Sequence, residues 1–163
     1  MLINRIRELA ADDNINSDEL VETLEEEFAS AQRNDNFEAS GFKSAYQDRP
    51  RAPSANQVRH TVGILAGAYT VGYAAYFTPG LRNEAQAAAL FIANEREWSV
   101  RTIKVPKSKK DGTTGTRQIR FRDFGNRADV RLNNAVVPIG FALGLGNISK
   151  DELADKLEER ICE

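Results

Sequence analysis

Residues 54–79 read SANQVRHTVGILAGAYTVGYAAYFTP, and this stretch decides the fold. Ser54 and Gln57 stand three apart directly after Pro53, the spacing of a pair that opens a helix. Val58, Val62, Leu65, Tyr69, Tyr73 and Tyr76 then recur at helical spacing as one apolar stripe. A neighbouring stripe is small: Gly63, Gly67 and Ala74, flanked by Ala66 and Ala68. Glycine inside a helix costs roughly 1 kcal/mol against alanine. Two glycines at i and i+4 therefore predict that another backbone comes close at that face. Such a pair in an apolar run also suits membranes, but Arg59, His60 and three tyrosines favour packing between soluble helices. Thr78 and Pro79 close the helix and open the next, as N-cap and first helical residue.

Working outward, residues 79–98 predict an alanine-rich helix with Leu90, Phe91 and Ile92, closing on Asn94, Glu95, Arg96, Glu97 and Trp98. From 100 to 123 the period changes from 3.6 to 2. Folding this segment about Gly112 sets Val105 against Ile119 and Ile103 against Phe121, a protruding basic β-hairpin over about 100–123 with one apolar face. Residues 126–145 return to helix, with a break or kink expected at Pro138. Gly140 and Gly144 repeat the small-residue spacing, so this helix is the expected partner of the Gly63/Gly67 face. On the N-terminal side, residues 2–11 predict a short helix and 16–32 a second, opened by Asn16 with Glu19. Ser149 with Glu152 opens a last amphipathic helix over 149–162.

The expectation is a mainly α chain. A single domain of five or six helices surrounds a central Gly/Ala-rich helix at about 54–77. An acidic helical hairpin spans 1–34, a connector 35–53 and the core 54–145. The length of 163 residues is enough to bury a core. Nothing approaches 18 consecutive apolar residues, so no membrane-spanning helix is expected. The N-terminus lacks the pattern of a secretory signal, which predicts a cytoplasmic protein or one exported by another route. One cysteine, Cys162, excludes an internal disulfide framework and a Cys-based zinc site.

The net charge of −2 hides two opposed segments. Residues 1–49 carry twelve acids against five bases, a net of −7, whereas residues 100–128 carry nine bases against two acids, a net of +7. The basic segment either meets an anionic polymer or an acidic protein, or meets the acidic part of this chain or of a second copy. Lys107, Lys109, Lys110, Arg117, Arg120 and Arg122, with Arg59, are the binding residues this reading names. Two solvated faces that meet nothing is the plainer alternative.

His60 is the only imidazole, so any histidine-dependent mechanism must use it. Asp129 and Asn133 stand i, i+4 on the later helix. Where the two glycine-bearing helices cross, both come near His60. The catalytic arrangement this predicts has His60 as general base oriented by Asp129, Glu97 or Glu95 as acid or stabiliser, and Asn133 alongside. A carboxylate on one ring nitrogen fixes the tautomer and raises basicity, which is why the chemistry needs the pair. Each residue also has a plainer role: His60 as a cap or packing residue, Asp129 favouring its helix dipole, Asn133 serving backbone groups near Pro138. No phosphate loop, serine elbow or cofactor motif is present. Oxygen-bound magnesium or manganese is the one metal chemistry the composition leaves open.

The order Arg59-His60, Gly63, Tyr69, Gly72, Arg96-Glu97, Asp129, Leu132-Asn133 and Gly140 is similar to a pattern in small bacterial domains. The resemblance covers about 57–140 and implies only that His60, Glu97, Asp129 and Asn133 belong together. Three functions follow as expectations. The first is a hydrolase or toxin-like effector acting on an anionic or glycan polymer. The second is a non-catalytic module binding nucleic acid or an acidic protein through the basic segment. The third is a homo-oligomerisation domain.

Overall fold

The computed structural model describes residues 1–29, 41–46, 55–95, 98–108, 114–124 and 127–162, with backbone alone for 55–56, 98–108, 114–124 and 127. Among these residues, six α-helices make up the packed body. They are α1 (Leu2–Ala10), α2 (Ser17–Leu24), α3 (Ala55–Tyr76), α4 (Arg82–Glu95), α5 (Arg127–Gly144) and α6 (Lys150–Ile161). Between α4 and α5, β1 (Trp98–Ser108) pairs antiparallel with β2 (Thr114–Phe124).

Local chemistry places the shorter helices. Asn16 Oδ1 accepts from the Glu19 backbone N–H and Glu19 Oε2 accepts from the Asn16 N–H, so two orphan donors at the start of α2 are satisfied. At α6 the Glu152 carboxylate accepts from both the N–H and the hydroxyl of Ser149. These bonds hold the Glu152 carboxyl below its ordinary pKa. Beyond Leu24, α2 widens into a π turn over Glu25–Ala29, which carries Phe28 into the core. The expected continuation to residue 32 and most of the 35–53 connector lie outside the described residues, as does Ser54.

The core forms where α3 and α5 pack on α1, α2 and α6. Ile6, Leu20, Leu24, Leu65, Leu132, Leu153, Leu157 and Ile161 are all at most 1% exposed. Arg5 binds Glu27 through both Nε and an Nη, joining α1 to the π turn, and Arg7 reaches Asp155 and Glu158 on α6. The acidic helices α1 and α2 thus pack on helices, and share no extended contact with the basic strands.

Three expectations are corrected. The fold class is mainly α, but among the described residues the packed body is helical alone, and the strand pair makes extended contact only with itself. The expected pairing folded about Gly112 is not seen. Ile103 stands opposite Ile119, Val105 opposite Arg117 and Phe121 opposite Arg101. Every pairing differs by two residues from the expected one, and slips of two preserve a period-2 pattern, so alternation alone cannot select the register. Second, α5 runs unbroken through Pro138.

Third, the Gly63/Gly67 face does not meet α5. A Cβ built on either glycine finds nothing within 4 Å. The close approach uses other glycines. A Cβ on Gly140 would lie 2.6 Å from the Leu65 carbonyl oxygen, one on Gly144 within 3 Å of Tyr69 O and Tyr73 N, and one on Gly72 within 3 Å of Phe141 O. Along the pair, Gln57 meets Asp129, His60 meets Asn133 and Tyr69 meets Gly144, so α3 and α5 run parallel and in step. The tyrosine stripe divides accordingly: Tyr69 is buried, whereas Tyr73 and Tyr76 are half exposed.

Candidate functional site

Among the described residues, the buried polar side chains are Gln57, Thr61, Asp129 and Asn133. All four fall in one tier, where the first turns of α3 and α5 meet the last turn of α4. Buried polar groups need partners, and each uncompensated one costs about 1–3 kcal/mol. Their concentration at one level is therefore the site's first signature. Gln57 Nε2 donates to Asp129 Oδ1 at 2.9 Å, across the α3/α5 seam. Thr61 donates back to the Gln57 carbonyl at 2.7 Å, within α3. Among the described residues, no group donates to the buried Gln57 Oε1.

The second half of the tier fixes His60. The Asn133 amide donates through Nδ2 to the Ala93 carbonyl and to Asn94 Oδ1, each at 3.1 Å. Those two bonds orient Asn133 Oδ1 toward His60, 2.7 Å from Nε2. An amide oxygen only accepts, so His60 Nε2 carries the proton and donates. In the neutral ring the lone pair then lies on Nδ1, which is the nitrogen able to take up a second proton. The ring is partly exposed, while the residue that holds it is fully buried.

The residues expected from sequence thus come together in part. His60, Asn133 and Asp129 share the tier. Asn133 is the partner of His60 Nε2, and Gln57 is the partner of Asp129 Oδ1. Glu95 closes α4 at the same end, half-buried. Glu97 lies outside the described residues, as do Lys109 and Lys110. Lys107, Arg117, Arg120 and Arg122 are placed by backbone on β1 and β2. Arg59 is exposed beside His60. The strands spring from this end of the body, since β1 follows the end of α4 and β2 leads into α5. Among the described residues, no three His, Cys, Asp or Glu side chains converge as a metal site would require.

Sequence reasoning missed Gln57, Thr61 and Asn94. Gln57 was legible only as a helix opener, yet Gln57, Thr61 and Leu65 follow one another at i, i+4, i+8. Placing the two polar residues on the buried stripe would have marked them as core partners.

Fold and site together define a mainly helical protein with a histidine-centred polar tier at the end of a parallel helix pair. No known protein family, curated protein or solved structure matches this chain.

Proposed function

We propose that this chain is a small acid–base enzyme, a hydrolase or toxin-like effector, whose substrate is an anionic polymer. The observation that carries the proposal is the Asn133 clamp on His60. Two bonds to α4 fix an amide whose only free choice is to accept from His60 Nε2. Such a positioned imidazole is what general-base catalysis requires. In the reaction, Nδ1 takes a proton from water or a substrate hydroxyl as that oxygen bonds to the electrophilic centre. The imidazolium then returns the proton to the departing oxygen or nitrogen. Asn133 is a positioning residue, and Asp129 with Gln57 ties α5 to α3 beneath the ring. The basic segment 100–128, joined to the body at this tier, supplies the cations that would hold the polymer.

The test is a panel of RNA, single-stranded DNA and acidic glycans, cleaved by the full chain and by His60→Ala. Loss of cleavage with an unchanged melting temperature supports the enzyme. Equal cleavage by the variant, or none by the full chain, removes it. A second reading, a binding module for nucleic acid, draws on the strands' lack of extended contact with any helix. It expects salt-sensitive binding lost on changing Lys107, Lys109 and Lys110 to Glu, with His60→Ala silent.

A further inference from the structure

A helix with one face in water normally carries charge on that face. Helix α3 departs from this: from Thr61 to Leu81, 21 consecutive residues include no charged side chain. Its outward stripe runs Arg59, Gly63, Gly67, Thr70 and Ala74, all exposed. On the adjoining α4 the outward stripe runs Glu84, Ala88 and Phe91, with Ile92 beside it; Phe91 is 65% and Ile92 55% exposed. Residues 85–94 are likewise uncharged. Between the helices lies a slot of about 90 Å³ lined by Gly63, Gly67, Val71, Ala89 and Ile92, floored by Val137. That volume suits one side chain, and is well below the roughly 300 Å³ at which ligand pockets begin.

The face thus presents both a hole, at the glycines, and knobs, at Phe91 and Ile92. An isologous dimer requires that combination on a single patch. Charge complementarity selects the same occupant. Arg59 and Glu84 are exposed at opposite ends of the patch, and among the described residues neither has an ion-pair partner. Helix α4 runs antiparallel to α3, because its Ala93 lies beside the His60–Asn133 pair and its Ala85 packs near Ala75. Glu84 therefore lies about 13 Å along α4 from the Arg59 end, nine residues from Ala93. A two-fold axis at the Gly63–Gly67 level brings each Arg59 over the second copy's Glu84. The same rotation points Ile92 at the second copy's Gly67. Arg82, the other charge at the Glu84 end, is half-buried and about 200° around α4 from Glu84.

We propose that the α3/α4 face is the interface of an antiparallel homodimer, with Ile92 seated in the partner's glycine slot and Arg59 paired with the partner's Glu84. Sedimentation equilibrium of the full chain over the micromolar range tests it, with far-UV circular dichroism as the check on folding. The expected result is a reversible dimer. Ile92→Glu weakens it by about thirtyfold or more, as does Gly67→Leu, which fills the slot. Arg59→Glu weakens it about three- to tenfold, and adding Glu84→Arg restores it. A chain monomeric at every concentration overturns the proposal. So does a dimer that survives Ile92→Glu, a double charge swap that fails to restore association, or a monomer that instead binds anionic phospholipid vesicles through Ile92.

Discussion

The α3/α5 seam and the α3/α4 groove are built from the same sequence device and use it oppositely. Both place glycines at the contact face of α3. At the seam, Gly72, Gly140 and Gly144 let two backbones come so close that a single methyl group on any of them would meet a carbonyl. At the groove, Gly63 and Gly67 face open space, and the alanines of α4 leave a slot between the helices. A glycine that admits a neighbouring backbone is irreplaceable, whereas one that faces water only weakens its helix. The difference shows that a small-residue spacing announces close approach without saying which side of the helix receives it.

The largest effect expected from this contrast is at Gly144. Gly144→Ala forces its methyl group on backbone atoms of Tyr69 and Tyr73, which cannot swing aside as a side chain would. A loss of about 3 kcal/mol or more is expected in urea unfolding. If Gly144→Ala unfolds no earlier than the wild type, the two backbones do not meet at Gly144.

Next comes the polar tier that caps the seam. Asn133→Ala removes the partner of His60 Nε2 and of the Ala93 carbonyl. A loss of about 2 kcal/mol is expected. Asn133→Asp sharpens the test: it keeps the shape but sets an oxygen against the Ala93 carbonyl in place of a donor, and should cost at least as much in urea unfolding. An Asn133→Asp protein as stable as the wild type would separate the Asn133 amide from Ala93 and Asn94.

Tyr69 gives a third, smaller handle on the seam. Its hydroxyl donates to Asp18 at 2.5 Å, and burial followed by this bond raises the phenol above its usual pKa. A group raised on folding stabilises the fold fully below its unfolded pKa, here about 10, and that contribution fades as pH climbs beyond it. Tyr69→Phe should cost about 1 kcal/mol at neutral pH and should flatten the alkaline fall in stability relative to the wild type. An identical alkaline profile in both would exclude Tyr69 as its source.

The smallest effect has the opposite sign. Gly67→Ala, in a monomeric dilute sample, should stabilise by up to about 1 kcal/mol, because the methyl meets nothing and helix propensity improves. Destabilisation there would mean that the groove is occupied within the monomer.

Much of the helical fold is legible in the sequence. The capping pairs Asn16–Glu19 and Ser149–Glu152 act as local chemistry predicts, since a cap needs only residues three apart. The strand register was not legible, because slips of two residues preserve the alternation on which the expectation rested. Of the site, the sequence brings His60, Asp129 and Asn133 near one another through a crossing at Gly63 and Gly67, whereas the close approach uses Gly72, Gly140 and Gly144. The level along the helices came out close although the side did not. Gln57 was hidden because a polar residue near a helix start reads equally well as a cap.

The sequence by itself determined the order of the helices, the charge opposition between residues 1–49 and 100–128, and the single histidine. Those properties depend on spacing within one element or on composition. Only the tertiary structure decided that Gly72 rather than Gly63 meets α5. Nine residues separate the two, which places them about 180° apart around α3, and both sides carry small residues. It also decided that Asn133 rather than a carboxylate holds His60 Nε2, because that choice rests on the level at which α4 ends, where Ala93 and Asn94 offer their oxygens.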